Sequence, residues 1–441
     1  MHQRQALTEA RLTASATKSY TSARVVIALR KKLSGGLDLP NMVCFPERRS
    51  ADLFPSIIER PEVGMKRATL VRTWLIPLIM LAAACIVPAD EHSIYRPLTL
   101  PDWEVSTPQA EGVDPELVLS TYQSARAHPT IYSLLIVKND RLIAERYFNG
   151  QDYQGAHNMA SVTKSFTSSL AGIALRDGVL PGLEQTMAGY FPDIDWPELD
   201  PRKSQITIRQ ILQMRSGFPW EEMTGQLDVL LSNWNWIPLI AEFQLSADPG
   251  TRFGYSNLTA HLMAIILARA ANTDLRSWAK TRLFDPLGIE IGNWNRDASG
   301  YYYGASDLYL TPRAMAKYGL LYLRGGKLKG TQIIPEEWVA ASLTPYSFDA
   351  YGAAISRPGS GKILTSFDLL DYGYLWWSSK CGRHPVQWAW GHGGNLIVLV
   401  PDLNMVVVTS ADNLPGQFGQ ASWTKEKAIM EMAGGFITAL E

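Results

Sequence analysis

Residues 161–178 read Ser161-Val-Thr-Lys-Ser-Phe-Thr-Ser-Ser-Leu-Ala-Gly-Ile-Ala-Leu-Arg-Asp-Gly178. The apolar side chains recur at helical spacing and a glycine follows them, so this stretch is predicted to be a helix that ends near residue 178. Ser161 would then lie at the helix N-terminus. There the unpaired backbone N–H groups and the positive end of the helix dipole favour an oxyanion.

Ser161 and Lys164 are spaced for a nucleophile and its base. A serine hydroxyl is protonated at neutral pH, so it needs an adjacent base, and a lysine serves only if burial or nearby cations lower its pKa. On a helix, residues i and i+3 lie on one face with Cβ atoms about 5 to 6 Å apart. The spacing therefore predicts contact between these two side chains.

The Ser-x-x-Lys spacing alone says little, because it occurs four times in the chain. Only the copy at Ser161 is followed downstream by two further elements, Tyr255-Ser-Asn257 and His392-Gly-Gly394. A second Tyr-x-Asn, Tyr147-Phe-Asn149, precedes the serine and is interpreted as a strand end with a turn. The other three copies of Ser-x-x-Lys are Ser15 to Lys18, Ser277 to Lys280 and Ser422 to Lys425.

Together these elements resemble the serine β-lactamase and penicillin-binding-protein superfamily. The resemblance is nearest to its class C-like branch of esterases, D-aminopeptidases, D-alanyl-D-alanine carboxypeptidases and 6-aminohexanoate-dimer hydrolases, and it covers roughly residues 103–441. Four more stretches carry it: Ile206-Thr-Ile-Arg-Gln-Ile-Leu-Gln-Met-Arg-Ser-Gly217, Pro249-Gly-Thr-Arg-Phe-Gly-Tyr-Ser-Asn257, Leu310-Thr-Pro-Arg-Ala-Met-Ala-Lys-Tyr318 and Tyr372-Gly-Tyr-Leu-Trp-Trp377.

The periodicity and the resemblance indicate the same α+β fold, of the β-lactamase/transpeptidase-like type. An antiparallel sheet from N- and C-terminal strands is expected, flanked by helices, with a mostly helical lobe inserted at about 180–310 and the active site at the junction. Hairpins are predicted at 133–148, turning at Asn139-Asp140, and at 395–410. Helices are predicted at 114–127, 161–176, 208–214, 258–271, 311–323 and 425–440.

The resemblance implies a role for each matching residue. Ser161 would attack the substrate carbonyl, while Lys164 and Tyr255 share its proton, later deliver one to the leaving group and take one from water. Asn257 would hydrogen-bond the lysine and the substrate. The backbone N–H groups of Ser161 and Asn395 would form the oxyanion hole.

His392 stands where lactamases and penicillin-binding proteins carry a lysine that anchors a substrate carboxylate. An imidazole is only partly charged near neutral pH, so this change argues against efficient β-lactam turnover and favours esters, or amides without an obligate carboxylate. Two interpretations of His392 stay open, a substrate-side hydrogen bond and a structural role. Gly393 and Gly394 are expected to leave room for a substrate backbone at a strand edge.

The predicted function is that of a serine hydrolase acting through an acyl-enzyme on small-molecule esters or amides. The alternatives are a D-alanyl-D-alanine carboxypeptidase or β-lactamase-like enzyme, and a non-catalytic envelope lipoprotein that binds penicillin or peptidoglycan peptides. No metal-ligand cluster, phosphate loop, dinucleotide fingerprint or Gly-x-Ser-x-Gly elbow is present, so no cofactor or metal is expected. A net charge of -1 offers no general attraction to nucleic acid. The oligomeric state stays open.

Many of the tryptophans fall in predicted loops or near the motifs. They could wall an apolar acyl pocket or belong to the core, and the pattern does not choose between the two. They are Trp220, Trp234, Trp236, Trp294, Trp376, Trp377, Trp388 and Trp390.

The N-terminal region has the layout of a bacterial signal peptide at residues 65–84, with a basic segment followed by a short apolar one. The apolar part is too short to span a bilayer. Leu81-Ala-Ala-Ala-Cys85 resembles a lipoprotein cleavage box, so Cys85 is the expected lipidation site and possible membrane attachment, and cleavage after Ala84 or Ala89 is the alternative. Export to the bacterial cell envelope follows, either to the periplasm or to a lipid-anchored position.

Residues 1–64 are expected to be an upstream extension of the gene model, with Met65 as the start, or else a disordered basic presequence. Residues 85–102 are expected to be a linker, followed by one hydrolase domain at 103–441.

Overall fold

The computed structural model of this protein describes residues 97–354 and 362–440. The extension at 1–64, the signal peptide at 65–84 and Cys85 lie outside this range, and their predicted roles stay predictions. The described part of the chain lies in one compact unit. No helix in it is long and apolar enough to cross a membrane.

A seven-stranded sheet organises the described chain, in the order β2-β1-β11-β10-β9-β8-β7 with antiparallel neighbours. The N-terminal hairpin pairs with the last strand, so both ends of the domain build one sheet, and the predicted α+β fold is confirmed. The strands are β1 Ile131–Lys138, β2 Arg141–Tyr147, β3 His157–Asn158, β4 Tyr309–Leu310, β5 Lys327–Leu328, β6 Thr331–Gln332, β7 Asp371–Tyr372, β8 Trp377–Cys381, β9 His384–Gly391, β10 Asn395–Val400 and β11 Met405–Ala411.

Both predicted hairpins are present. β1 and β2 are joined by Asn139 and Asp140, whose φ angles of 49° and 69° are the left-handed values that a two-residue turn of the primed type requires. A turn at Pro401–Leu403, followed by left-handed Asn404, joins β10 to β11. Every residue of β10 and β11 is buried, which shows that the sheet is covered on both faces at these strands.

The predicted helices are present with ends shifted by a few residues. The lobe between about 180 and 310 is built mainly of short helices, with α8 as its one long helix among the described residues. The helices are α1 Pro115–Arg126, α2 Thr163–Arg176, α3 Pro201–Ser204, α4 Ile208–Leu212, α5 Glu221–Thr224, α6 Leu227–Ser232, α7 Leu239–Glu242, α8 Asn257–Ala271, α9 Leu275–Ala279, α10 Asp285–Leu287, α11 Pro312–Leu323, α12 Glu336–Leu343, α13 Ala350–Ala354 and α14 Gln420–Thr438.

Helices α2 and α8 form the centre of the molecule. α2 is buried from Thr163 to Ala174 and α8 from Leu258 to Ala268, so each is enclosed on all sides rather than along one stripe. The two helices pack against each other, and α2 also contacts β9. Their N-terminal ends, together with the end of β9, therefore bring the three sequence elements to one place.

Candidate active site

Ser161 lies in a tight 3-10 turn, Ala160–Val162, that leads directly into α2. The preceding residue, Ala160, has a left-handed φ of 47°, a costly conformation for a residue with a side chain. The Ala160 N–H donates to Asn158 Oδ1 at 2.9 Å, which helps to hold this turn. The serine is thus half-buried at the entrance to the helix, within two residues of the predicted helix start.

Lys164 is buried, and its Nζ contacts three oxygens. They are Ser161 Oγ at 2.9 Å, Asn257 Oδ1 at 2.7 Å and the carbonyl oxygen of Ala305 at 2.9 Å. Two of these oxygens can only accept, so a neutral lysine donates its two N–H groups to them and turns its lone pair toward the serine hydroxyl. Burial lowers the pKa of Lys164 to about 8, against the opposing effect of nearby carboxylates. The geometry and the pKa together suit a base.

Tyr255 completes the cluster around the serine. Its hydroxyl is hydrogen-bonded to Ser161, its ring centroid lies 4.7 Å from Lys164 Nζ, and its ring stacks on Trp377 at 5.5 Å. Burial raises the pKa of Tyr255 well above its ordinary value, although the bond to Ser161 acts in the other direction. The phenol therefore keeps its proton near neutral pH and is suited to donate it.

The amide of Asn257 is oriented by Glu222. Asn257 Nδ2 donates to Glu222 Oε1 at 2.8 Å, which leaves Oδ1 to accept from Lys164. The predicted bond from the lysine to Asn257 is thus present in the structure. Glu222 was not singled out in the sequence, where it is one of two successive acidic residues after a tryptophan.

The other acidic residue, Glu221, caps the N-terminus of α8. Its fully buried carboxylate accepts from Ser256 Oγ at 2.8 Å and from the backbone N–H groups of Asn257 and Leu258 at 2.9 and 3.1 Å. Burial and the charge of Glu222 raise the pKa of Glu221 to about 7. Ser256 also accepts from Thr259 N as the N-cap of α8, so its hydroxyl has a structural role.

The imidazole of His392, for which the sequence leaves open a substrate-side hydrogen bond and a structural role, is engaged by protein groups. Its Nδ1 lies 2.7 Å from Glu426 Oε2, its Nε2 lies 3.0 Å from the carbonyl oxygen of Gln417, and its ring stacks on Phe418. Burial acts to lower the pKa of His392, but the hydrogen bond and charge of Glu426 outweigh it and raise the pKa. Both ring nitrogens face acceptors, which favours an imidazolium with no N–H left for a substrate.

The glycines after His392 are required by packing, and their expected role in substrate approach stays a prediction. A Cβ on Gly393 would lie 1.9 Å from the carbonyl oxygen of Asp412, and one on Gly394 would lie 2.9 Å from Ile429 Cβ. At Gly391, by contrast, a Cβ would lie 2.1 Å from the carbonyl oxygen of Met159. The close approach of β9 to the serine turn therefore depends on Gly391, which the sequence did not single out.

Asn395 is buried close to the serine turn, and the role of its N–H in an oxyanion hole stays a prediction. It lies at the start of β10, a strand that lies between β9 and β11 and contacts residues 160–162. Its side chain donates to the carbonyl oxygen of His392 at 2.9 Å and accepts from Ala411 N at 3.0 Å. Residues 392–394 form the turn of the hairpin that leads from β9 into β10.

Two cavities meet at Ser161, and both are lined by Glu222 and His392. The wide cavity, of about 680 Å³, is lined by Trp234 and Trp236 together with several amide side chains. The aromatic cavity, of about 410 Å³, is lined by Trp220, Trp377, Trp390, Trp423 and Tyr351. Some of the tryptophans thus wall a pocket, while Trp294, Trp376 and Trp388 are buried in the core. Within residues 97–354 and 362–440, no group of acidic, histidine or cysteine side chains is arranged to hold a metal.

This cluster on a helix-flanked antiparallel sheet defines the class of protein, one with the serine β-lactamase fold. The chain belongs to the beta-lactamase family, whose model matches residues 121–429. It is 30% identical over 261 residues to beta-lactamase-like protein 2 of Dictyostelium discoideum, a match that covers 52% of this chain and 45% of that protein. It spans about half the length of two of the curated relatives it matches.

Two further similarities extend over more of the chain. The 6-aminohexanoate-dimer hydrolase of Paenarthrobacter ureafaciens is 22% identical over 291 residues, covering 63% of this chain and 71% of that enzyme. The structure of EstCE1, a hydrolase with promiscuous acyltransferase activity, superposes with a TM-score of 0.56 at 16% identity. That superposition covers 73% of this chain and 98% of EstCE1, and it shows a shared fold.

Proposed function

We propose that this protein is a serine hydrolase that forms an acyl-enzyme on Ser161 and hydrolyses small-molecule esters or amides. The observation that carries the proposal is the contact of Lys164 Nζ with Ser161 Oγ, at 2.9 Å, while two carbonyl oxygens occupy the other N–H directions. The similarity to a 6-aminohexanoate-dimer hydrolase supports the same reaction class.

The lowered pKa of Lys164 suits a proton acceptor, and the raised pKa of Tyr255 suits a proton donor. In acylation, Ser161 Oγ bonds to the substrate carbonyl carbon as its proton passes to Lys164, and Tyr255 donates its proton to the leaving oxygen or nitrogen. The lysine ammonium then returns a proton to the phenolate. In deacylation a water takes the place of the leaving group, and the same transfers run in reverse to release the acid and restore the serine.

A covalent serine probe and a short-chain p-nitrophenyl ester test this proposal. Ser161→Ala should abolish both fluorophosphonate labelling and ester hydrolysis. Ser277→Ala is the matched control, because Ser277 is the exposed serine of another Ser-x-x-Lys copy, in α9, and should leave both unchanged. Undiminished labelling of the Ser161→Ala variant would refute the assignment. Labelling of Ser161 without turnover of any ester or amide would favour the alternative, a binding module.

A further inference from the structure

The carboxylate of Glu222 lies beside the nucleophile and faces the substrate space. Its side chain is exposed and lines both cavities that meet at Ser161. Its negative charge acts on the buried Lys164 and on Tyr255, His392 and Tyr351, which line the aromatic cavity. Among the described residues, Glu222 forms no ion pair, and its hydrogen bond to Asn257 uses Oε1.

Most cations around this space are engaged, and the exception lies in the wide cavity. His392 is paired with Glu426, and both of its ring nitrogens are used. The ammonium of Lys164 is buried among three oxygens. Arg296 is exposed in the wide cavity and contacts the neutral Tyr302, whereas no lysine or arginine of the described residues lines the aromatic cavity.

The remaining carboxylate groups near the serine differ from Glu222. Glu426 is buried and paired with His392, and Asp307, which of the two cavities lines only the wide one, is less exposed and accepts from Asn158 Nδ2 at 2.5 Å. Glu221 is fully buried beneath α8. Glu222 is thus the carboxylate best placed to meet a charged substrate, and in the aromatic cavity no lysine or arginine of the described residues lies beside it.

We propose that Glu222 makes this site selective for substrates that carry a cationic amine or ammonium group, and that it disfavours substrates with a carboxylate in the same position. The inference rests on the proposed hydrolase function and names its substrate class. A single sign of charge in a cleft raises the local concentration of the opposite charge, by at least about tenfold. The same charge repels an anion.

Matched substrates separate charge from shape. On the acyl side, the p-nitrophenyl esters of 6-aminohexanoate, heptanoate and pimelate place an ammonium, a methyl and a carboxylate at the same position. On the leaving-group side, acetylthiocholine and 3,3-dimethylbutyl thioacetate differ in charge at nearly constant shape. The quantity to compare is the ratio of kcat/KM between charged and neutral partners, because a change common to all substrates cancels.

In the wild type, the cationic member of at least one pair should be preferred about tenfold, and the pimelate ester should be disfavoured. Glu222→Gln keeps an oxygen that can accept from Asn257 Nδ2 but removes the charge. The ratio of kcat/KM between the cationic and the neutral substrate should therefore fall to about one. Glu337→Gln, an exposed position on α12, should leave the ratio unchanged. The wild-type preference should also fall as salt is added.

Two outcomes would overturn the inference: equal kcat/KM for charged and neutral partners on both sides in the wild type, or a preference that survives in Glu222→Gln. Either could occur while neutral esters are hydrolysed in a Ser161-dependent manner, and the proposed hydrolase function would then stand. Hydrolysis that persists in Ser161→Ala would instead refute the proposed function, hydrolysis through an acyl-enzyme on Ser161.

Discussion

Replacing Glu222 by Gln should lower the pKa of Lys164 and raise activity on neutral esters near pH 7. The two groups are linked through the amide of Asn257, with bonds of 2.7 Å to Lys164 Nζ and 2.8 Å to Glu222 Oε1. The charges are therefore about 7 Å apart, which corresponds to an attraction of about 2 kcal/mol at an effective dielectric of about 20. Because Glu222 is exposed, solvent screening reduces this to about 1 kcal/mol.

A loss of about 1 kcal/mol lowers the pKa of Lys164 by somewhat under one unit, since a carboxylate stabilises the ammonium and its removal favours the neutral amine. Starting from a pKa of about 8, the neutral fraction at pH 7 is about one in ten. In the variant it becomes about one in three, so kcat/KM should rise about threefold at pH 7. At pH 9.5 Lys164 is mostly neutral in both the wild type and Glu222→Gln, so their kcat/KM values should be equal.

The assay is kcat/KM for p-nitrophenyl butyrate between pH 5.5 and 9.5, read at the isosbestic wavelength of the product. The rise of kcat/KM on the acidic side of the pH profile should shift to lower pH in Glu222→Gln and should not move in Glu337→Gln. A rise that does not move in Glu222→Gln, or a uniform loss at every pH, would refute the reasoning. It would mean either that Lys164 is not the base or that Glu222 acts only by positioning Asn257.

Three further predictions concern the site and its frame. Tyr255→Phe should lower kcat about 10²- to 10⁴-fold with little change in Tm, because the ring packing remains while the proton donor is lost; a kcat within threefold of wild type would contradict this role. Gly391→Ala should lower kcat about 100-fold, because its Cβ would lie 2.1 Å from a carbonyl oxygen of the serine turn, whereas Gly435→Ala, with open space around it, should have no such effect. Arg313→Met should lower the free energy of unfolding, measured in urea, by about 3–5 kcal/mol, because it removes the guanidinium that donates two hydrogen bonds to the buried Glu145 carboxylate. A loss under about 1 kcal/mol would contradict a stabilising role for this pair.

Local patterns predicted the elements whose causes are local. The apolar spacing within 161–178 depends on neighbouring turns of one helix, and the turn at Asn139-Asp140 depends on the left-handed conformations that these two residues tolerate. The order of the three motifs then indicated the fold through resemblance. Contact between Ser161 and Lys164 followed directly from helical spacing, and the structure has it.

Other parts of the site depend on contacts between distant segments. Ala305 lies 141 residues from the lysine that it accepts from, and Glu221 lies 35 residues from the serine whose hydroxyl it accepts from. No periodicity connects such pairs. The close approach of Gly391 to the serine turn is a related case, because sheet pairing, not sequence position, decides which backbone groups meet.

By itself, the sequence determined the serine, its adjacent lysine, the helices and hairpins around them and the family they resemble, because these follow from short-range sterics and periodic burial. The tertiary structure alone decided the electrostatics of the site. Burial lowers the pKa of Lys164 to about 8, Glu426 pairs with His392 and raises its pKa against the effect of burial, and Glu222 faces the open cavity. These properties depend on how deeply each charge is buried and which distant groups surround it, and only the packed chain defines either one.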